Sequence, residues 1–241
     1  MKTNLSKLTI IVVTTVLFSS CAIDMLNRVT GNKNVVTQDR KINDDFTSIK
    51  VSTGLDLYIT QSNNVSLRVE ADENLHDIII TEIKNGVLKV YSEKNIWKAK
   101  ARKVYVSVKD LEELSATSGS DIYTENTLRV SNLNVMTTSG ADARITVNAE
   151  NITTSSTSGS DIKIMGTTVN HTASATSGSS INSFGLKSQN VIAKVTSGAN
   201  IDVYALESID AVATSGGDID YKGNPRQVNK KSTSGGSISA Q

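Results

Sequence analysis

The fold is decided by a repeated stretch whose clearest copy reads TSGSDIKIMGTTVNHTASATSG, residues 157–178. The tripeptide Thr-Ser-Gly at both ends of this copy occurs seven times from residue 117 onward in the 241-residue chain. Its glycines are Gly119, Gly140, Gly159, Gly178, Gly198, Gly216 and Gly235, and successive glycines lie 21, 19, 19, 20, 18 and 19 residues apart. An interval near 19 residues with constant turn chemistry predicts a solenoid, in which each repeat is one coil stacked on the last.

Alignment of the repeats on the glycine indicates which side chains face inward. An apolar column stands three residues after the glycine, and a second column stands seven residues before it. The first comprises Ile122, Ala143, Ile162, Ile181, Ile201, Ile219 and Ile238. The second comprises Glu112, Leu133, Ile152, His171, Val191, Ile209 and Val228. Because alternate residues of a strand face the same side, strands are expected on both sides of each Thr-Ser-Gly, with these columns in the core.

Thr-Ser-Gly suits a corner, because glycine tolerates positive φ and the hydroxyls can bond to backbone groups that a bend leaves unpaired. Short strands joined by such corners predict an all-β fold, a right-handed parallel β-helix with rungs about 4.8 Å apart. A leucine-rich repeat needs leucines at tighter intervals, and a propeller blade needs about twice the period, so neither fits. A helical solenoid is excluded because the repeats lack a 3.6-residue apolar period.

The first half of the chain predicts a less regular β portion. Residues 46–60 read FTSIKVSTGLDLYIT, in which Ser-Thr-Gly at Gly54 imitates the later corners and predicts an early rung. Further strands are predicted at 66–71, 78–83, 87–92 and 103–108, with Asn85-Gly86 as a hairpin turn. We interpret residues 40–241 as one domain, in which 40–115 form an irregular capping part and 116–241 the regular repeats. A separate N-terminal β domain is the alternative.

The N-terminus resembles a bacterial lipoprotein signal peptide. Two lysines precede an apolar run at residues 8–18, and Ser19 and Ser20 then lead to the only cysteine, Cys21. The run is too short to cross a membrane as a helix. This pattern predicts a signal peptide at 1–20, lipid attachment at Cys21 and a tether at 21–39. The protein would be an outer-membrane lipoprotein of the cell envelope, facing either the surface or the periplasm.

The charge balance is close to neutral. The chain carries 25 Lys and Arg against 24 Asp and Glu, a net charge of +1. Removal of residues 1–20 takes away two lysines and no acid, which leaves 23 against 24, a net charge of about −1. A nearly neutral chain without a basic stripe predicts that nucleic acid is not a partner.

Together, the lipoprotein start, the strand at 46–59 and the TSGSDI-type repeats resemble the auto-transporter adhesin family with a head GIN domain, which is common in Bacteroidetes. The segments most similar to the family's repeated unit are 119–122, 159–162, 198–201 and 216–219. The resemblance covers nearly the whole mature chain. It implies a right-handed β-helix-like fold and the role of an adhesin, without an established ligand.

An aspartate stands two residues after the glycine on three consecutive rungs, at Asp121, Asp142 and Asp161. Stacked carboxylates repel each other by about 1 kcal/mol per pair in water. A calcium ion bound by this ladder would remove the repulsion, but the glycine-aspartate nonapeptide of calcium-binding β-rolls is absent from the sequence. We therefore expect aspartates that cap turns and no cofactor, with calcium binding as the alternative.

The best candidate for a contact site is the only tryptophan, which lies among cations. The patch comprises Trp97, Lys94, Lys98, Lys100, Arg102 and Lys103. An exposed tryptophan among cations can stack on a sugar ring or approach an anionic surface. The alternative is a loop that folds the tryptophan over the core.

The two histidines are not expected to be catalytic. His171 occupies the column that Leu133, Ile152, Val191 and Ile209 also fill, which favours a packed core residue or a side chain turned locally outward. His76 lies beside Asp77 in the irregular half with no cysteine or second histidine nearby, and adjacent residues of a strand face opposite sides, so the two are not expected to act together. His76 is expected to be solvated. The sequence therefore predicts no catalytic residue.

Three functional hypotheses follow. The leading one is a non-enzymatic adhesin or surface module, whose rigid Ser/Thr/Asn-rich face contacts a glycan or protein ligand. The second is a periplasmic scaffold that binds another protein or forms a homo-oligomer through the rung near Ile238. The third is a polysaccharide-active β-helix enzyme, but such an enzyme needs clustered acids and cations on long insertions, and the repeats have almost none.

Overall fold

The computed structural model describes residues 28–241. The predicted signal peptide, the lipid attachment at Cys21 and the first part of the tether therefore lie outside the described residues. Within 28–241 the only helix is a 3-10 turn at Glu73–Leu75. No helix in this part of the chain is long and apolar enough to cross a membrane.

The described residues form nineteen strands. The irregular half contains β1 Arg28–Thr30, β2 Val35–Arg40, β3 Ser48–Val51, β4 Asp56–Gln61, β5 Ser66–Asp72, β6 Ile79–Lys84, β7 Val87–Ser92, β8 Asn95–Lys98 and β9 Arg102–Val108. The repeats contain β10 Glu113–Thr117, β11 Asp121–Thr124, β12 Leu128–Thr138, β13 Asp142–Thr157, β14 Asp161–Thr176, β15 Ser180–Val195, β16 Asn200–Ala213, β17 Asp218–Lys222, β18 Gln227–Ser232 and β19 Ser237–Ala240. Seventeen strands, all except β1 and β8, belong to one sheet. The predicted parallel β-solenoid is confirmed, with about seven turns.

Successive rungs pair in parallel with equivalent repeat positions side by side. For example, β13 and β14 align Asp142 with Asp161 and Ile152 with His171. The predicted inward columns are buried through most of the stack. Two residues of the predicted columns are exposed instead of buried. They are Glu112, which lies next to buried Leu111, and Val228 in β18. The register therefore turns the repeat positions that flank the corners into continuous lines along the solenoid, whereas it shifts at Lys163–Met165 and at Ser183–Lys187.

Each Thr-Ser-Gly forms a corner in which two residues adopt left-handed backbone. In the corner at 157–159, Ser158 has φ 57° and Gly159 has φ 67°. The glycine N–H donates to the carbonyl of Ser177 in the next corner, at 3.2 Å. Positive φ was expected of the glycine, but the serine adopts it as well. Hydrogen bonds between successive corners hold this sterically unfavourable serine conformation in place.

A ladder of asparagine side chains, which the sequence analysis missed, runs along the outside of the stack. Asn132, Asn151, Asn170 and Asn190 each lie eight residues before a corner glycine. The amide nitrogens of Asn151, Asn170 and Asn190 each donate to the side-chain oxygen of the preceding asparagine, at 2.9, 2.9 and 3.1 Å. Ser208 donates to Asn190 at 2.8 Å and continues the ladder for one more rung. These bonds connect rungs that the backbone register has already placed in line.

The irregular half closes the N-terminal end of the core. Strands β3 and β4 form the early rung predicted from Gly54, because they pair in parallel with β10 and β11. Strands β7 and β9 pair in parallel with β3 and β4 on the other side. Beyond them the chain direction reverses, since β6 and β5 are antiparallel to β7 and β9. Buried Leu67, Val69 and Leu75 cover the core at this end.

Two predictions in the irregular half have clear outcomes. The Asn85-Gly86 hairpin is confirmed, with both residues at positive φ between antiparallel β6 and β7. The tether prediction was wrong in its second part, because β1 and β2 begin before residue 40. Strand β2 pairs with β5, a segment about 30 residues further along the chain. A local reading of the sequence does not reveal such a partner.

The histidines are both buried. His76 was expected in solvent, but it is only 2% exposed, and its Nε2 lies 3.2 Å from the carbonyl oxygen of Val36. The prediction was wrong because strand β2 contacts the turn that holds His76. His171 faces the core, which is one of its two expected arrangements, and its Nε2 lies 3.0 Å from the Thr154 hydroxyl. Burial lowers the pKa of His171 to about 4.

The asparagine ladder should be measurable by substitution. Asn151→Ala removes two ladder hydrogen bonds and should lower the free energy of unfolding by about 1–2 kcal/mol. Chemical denaturation of the variant and the parent protein measures this difference. Thr153→Ala, at an exposed position two residues away, is the control and should change stability by less than about 0.5 kcal/mol. Equal effects of the two substitutions would contradict a stabilising ladder.

His171 should make stability depend on pH. In the unfolded chain it binds a proton near pH 6.5, whereas the folded protein resists protonation until about pH 4. Its neutral form is therefore tolerated above pH 6.5, and stability is lost as the pH falls from 6.5 towards 4. His171→Val should remove this loss, so at pH 5 the variant should gain about 2 kcal/mol relative to the parent, compared with their difference at pH 8. Parallel pH profiles from urea denaturation would contradict the prediction.

Candidate functional site

Trp97 and four cations line a groove of about 640 Å³ near the N-terminal end of the stack. We term this surface the basic groove, and its lining residues are Thr30, Gly31, Lys33, Trp97, Lys98, Ala99, Lys100 and Arg102. The lining contains no acidic residue. Trp97 is 55% exposed, so the alternative in which it folds over the core is wrong. The Arg28 guanidinium carbon lies 4.2 Å from the centre of its ring, which leaves much of the indole in solvent.

The structure brings together only part of the predicted patch. Lys98, Lys100 and Arg102 line the basic groove with Trp97. Lys94 is exposed just before β8 and does not line it. Lys103 lies elsewhere, with its Nζ 3.7 Å from the Glu70 carboxylate.

Strand pairing explains why Trp97 faces outward. Strands β1 and β8 form a two-stranded parallel sheet, in which Val29 lies opposite Ile96. Ile96 is buried, so the next residue, Trp97, is directed to solvent. The N–H of Gly31 donates to the carbonyl of Lys98 at 2.7 Å and extends this connection. Pairing with β1 also brings Arg28 and Lys33 to the site, although they lie more than 60 residues from Trp97 in the sequence.

The buried carboxylate of Asp72 holds the two sides of the basic groove together. It accepts backbone N–H bonds from Lys33 at 2.9 Å, Lys100 at 3.0 Å and Ala101 at 3.0 Å. Burial opposes ionisation of Asp72, but these three donors outweigh it and lower its pKa. A Cβ on Gly31 would lie 1.9 Å from the Asp72 carboxylate, so only glycine fits at that position. Asp72 therefore fixes the backbone that presents the cations.

The aspartate column forms a second polar surface, on the outer face of the solenoid after the corners. It is longer than predicted, because Asp56 in the early rung pairs with Asp121, which in turn pairs with Asp142. Burial raises the pKa of Asp121, and the charge of Asp142 raises it further. The pKa of Asp161 is raised for the same two reasons. The column is thus a row of partly desolvated carboxylates that repel each other.

The column does not gather ligands as a metal site would. In residues 28–241, no group of three or more His, Cys, Asp or Glu side chains is placed to hold a metal ion. Carboxylates about 4.8 Å apart in one line give an ion two neighbouring rungs at most, whereas calcium takes six to eight oxygens. Asp121 instead accepts a hydrogen bond from the Tyr123 hydroxyl at 3.2 Å.

Three stacked tyrosines adjoin the aspartate column, and the sequence analysis missed them. The ring of Tyr58 lies 5.0 Å from Tyr105 and 5.1 Å from Tyr123, with interplanar angles of 21° and 18°. Arg144 in the next rung lies 5.5 Å from the Tyr123 ring. Because the rings cover one another's faces, their hydroxyl edges and the flanking cations are what a ligand would meet. Tyr58 and Tyr123 both lie four residues after a corner glycine, which is the signal that could have revealed the stack.

These features define a parallel β-solenoid with a convergent basic groove at one end and linear polar columns along its side. Residues 45–225 match the family described as "putative auto-transporter adhesin, head GIN domain", and the chain belongs to this family. The resemblance predicted from the repeats is therefore confirmed.

Solved structures share the fold. A putative adhesin from Bacteroides fragilis is 24% identical, with a TM-score of 0.81 over 88% of this chain and 100% of that one. A putative lipid binding protein from Parabacteroides distasonis is 23% identical, with a TM-score of 0.74 over 89% and 99%. A putative adhesin from Parabacteroides merdae is 22% identical, with a TM-score of 0.69 over 89% and 99%. No curated protein matches the chain.

Substitution of Asp72 should loosen the basic groove. Asp72→Asn removes the charge and leaves a single acceptor for three N–H donors, which should cost about 2–3 kcal/mol of stability at pH 7. The measurement is chemical denaturation, together with acrylamide quenching of Trp97 fluorescence, which should increase. Because the lowered pKa makes the carboxylate stabilising above about pH 4, the difference from the parent should shrink as the pH falls below that value.

Asp77→Asn provides the matched control for this prediction. Asp77 is exposed, lies five residues from Asp72 and loses the same charge. It should leave both stability and quenching close to those of the parent. A similar loss of stability in the two variants would contradict a specific role for the Asp72 carboxylate.

Proposed function

We propose that this protein is a non-enzymatic lipoprotein of the cell envelope, anchored through Cys21, whose solenoid binds a glycan or protein ligand as an adhesin. The observation that carries the proposal is the regular outer face, on which aspartates, tyrosines and cations recur at the rung spacing. A stack with continuous inter-rung pairing is rigid, so it can hold many polar groups at fixed positions without a deep pocket. Membership in an adhesin family supports the same role.

The ligand would meet donors and acceptors in rows. Asp142 and Asp161 form an acidic row beside the basic row of Arg144 and Lys163, around a shallow depression of about 220 Å³ on the outer face. Mixed charges at this spacing suit hydroxyl and charged groups of a repeating polymer, which can contact several rungs at once. Each exposed contact is weak, and affinity would come from their number.

The polysaccharide-active enzyme is the second candidate, and the same depression is the observation that favours it. It places carboxylates beside cations, as polysaccharide cleavage requires. Incubation with uronic-acid-containing polysaccharides tests this candidate. Product release that disappears in Asp161→Asn would replace the adhesin proposal with an enzymatic one.

The scaffold candidate requires a second copy to stack on the last rung, near Ile238. One residue of that rung, Lys230, disfavours such stacking. In β18, Lys230 occupies the column that Ala211 fills in the neighbouring rung, and its Nζ lies 4.5 Å from the Tyr221 ring centre. A lysine in an inward column opposes stacking of another apolar rung upon it. The proposal therefore assigns binding to the side of the solenoid.

Surface labelling in a Bacteroides host tests the proposed location and anchoring. The parent protein should incorporate a labelled fatty acid, fractionate with the outer membrane and be cut by protease added to intact cells. Cys21→Ala should lose the label and leave the membrane fraction. Protection of the parent from protease until the outer membrane is broken would reject the adhesin role and favour a periplasmic scaffold.

A further inference from the structure

The basic groove has a chemistry that differs from the rest of the outer face. Its lining combines Lys33, Lys98, Lys100 and Arg102 with an indole that is more than half exposed, and it contains no acidic side chain. Indole rings favour the boundary between water and lipid, because one part is apolar and the N–H remains hydrated. Lysine and arginine near that boundary are attracted to anionic headgroups.

The position of the groove in the chain gives it a particular neighbour. Arg28, which lies over Trp97, is seven residues after Cys21. Seven residues span about 25 Å at full extension, so a lipid on Cys21 would keep the groove within that distance of the membrane surface. The attraction between these cations and the headgroup charge acts once the groove comes within a Debye length of the surface, about 10 Å at 0.1 M salt.

We infer that the basic groove docks on the anionic phosphate surface of the membrane that holds the Cys21 lipid, with Trp97 inserted at the headgroup level. This inference rests on the proposed lipid anchor. The groove lies at the N-terminal end of the stack, where β7 and β9 form the first rung and β8 connects them. Docking at this end leaves the depression around Asp142 and Asp161, which lies further along the stack, free for the ligand.

Docking would also explain the rigid construction of the groove. A basic surface next to a lipid anchor adds a second contact with the membrane, which orients the protein on it. The Asp72 carboxylate accepts hydrogen bonds from the backbone N–H groups of Lys33 and Lys100 and so fixes the backbone on both sides of the groove. Fixed cations lose less conformational freedom on binding than cations on a flexible tether would.

The test attaches the mature chain, residues 21–241, to vesicles through Cys21. Because Cys21 is the only cysteine, a maleimide lipid couples at one position, and because Trp97 is the only tryptophan, its fluorescence reports the groove alone. On vesicles with 30% phosphatidylglycerol, Trp97 emission should shift to the blue and be shielded from acrylamide. On pure phosphatidylcholine, or at 1 M salt, the shift and the shielding should be lost.

A matched pair of variants identifies the surface. Lys33→Gln/Lys98→Gln/Lys100→Gln should weaken the docking equilibrium by about 100-fold, at about fivefold per residue. Lys187→Gln/Lys194→Gln/Lys231→Gln loses the same charge at exposed positions of distant rungs and should dock like the parent. Thermal unfolding checks that both variants fold.

Three outcomes would overturn the inference. In the first, Trp97 remains as accessible to acrylamide on anionic vesicles as it is in the free protein. In the second, the two lysine variants weaken docking to the same extent. The third is shielding of Trp97 by a soluble sulfated polysaccharide but not by vesicles, which would assign the groove to a glycan. The chemical tether makes this test independent of acylation in cells, so failure of docking and failure of the lipoprotein proposal are observed separately.

Discussion

In-register parallel pairing between rungs is the constraint on which the rest of the structure depends. Once Asp142 is paired with Asp161, the residues that follow in β13 and β14 are also paired with their equivalents. A side chain that interacts favourably with an identical neighbour about 4.8 Å away therefore gains a contact at each rung, whereas one that repels its neighbour lowers stability at each rung. Isoleucines in the core and asparagines outside benefit from this repetition. The aspartates show its cost, because the charge of Asp142 raises the pKa of both Asp121 and Asp161.

The same constraint explains why the irregular half is built differently. A parallel stack cannot end itself, because its last rung leaves unpaired backbone groups and an uncovered core. At the N-terminal end the chain changes direction, and antiparallel β5 and β6 cover the rung of β7 and β9. This reversal brings distant segments together, and Asp72 satisfies backbone donors that no ladder reaches. The basic groove is a consequence of that closure.

The repeats were predictable from the sequence because each rung repeats the same evidence. The inward columns and the corners were readable from spacing, and the Gly54 rung from its Ser-Thr-Gly motif. The asparagines eight residues before four consecutive corner glycines carried the same kind of signal. The irregular half offered no repetition. Lys33 and Lys100 lie 39 and 28 residues from Asp72, and nothing local connects them. For that reason the exposure of His76 was predicted wrongly and the exposure of Trp97 was left open. The first depends on β2 and the second on β1, and both strands lie in the segment that was predicted as a tether.

A regular solenoid and its irregular end can support different kinds of binding. Translation along the stack produces lines of equivalent groups, and a line rarely converges on one small ligand. It can contact an extended polymer or a broad surface, where many weak contacts add. Convergence requires that the register be broken, and residues 28–102 are where cations from separate segments meet around one indole. The proposed attachment at the irregular end and the proposed binding along the regular side would therefore each use the geometry that the local strand pairing permits.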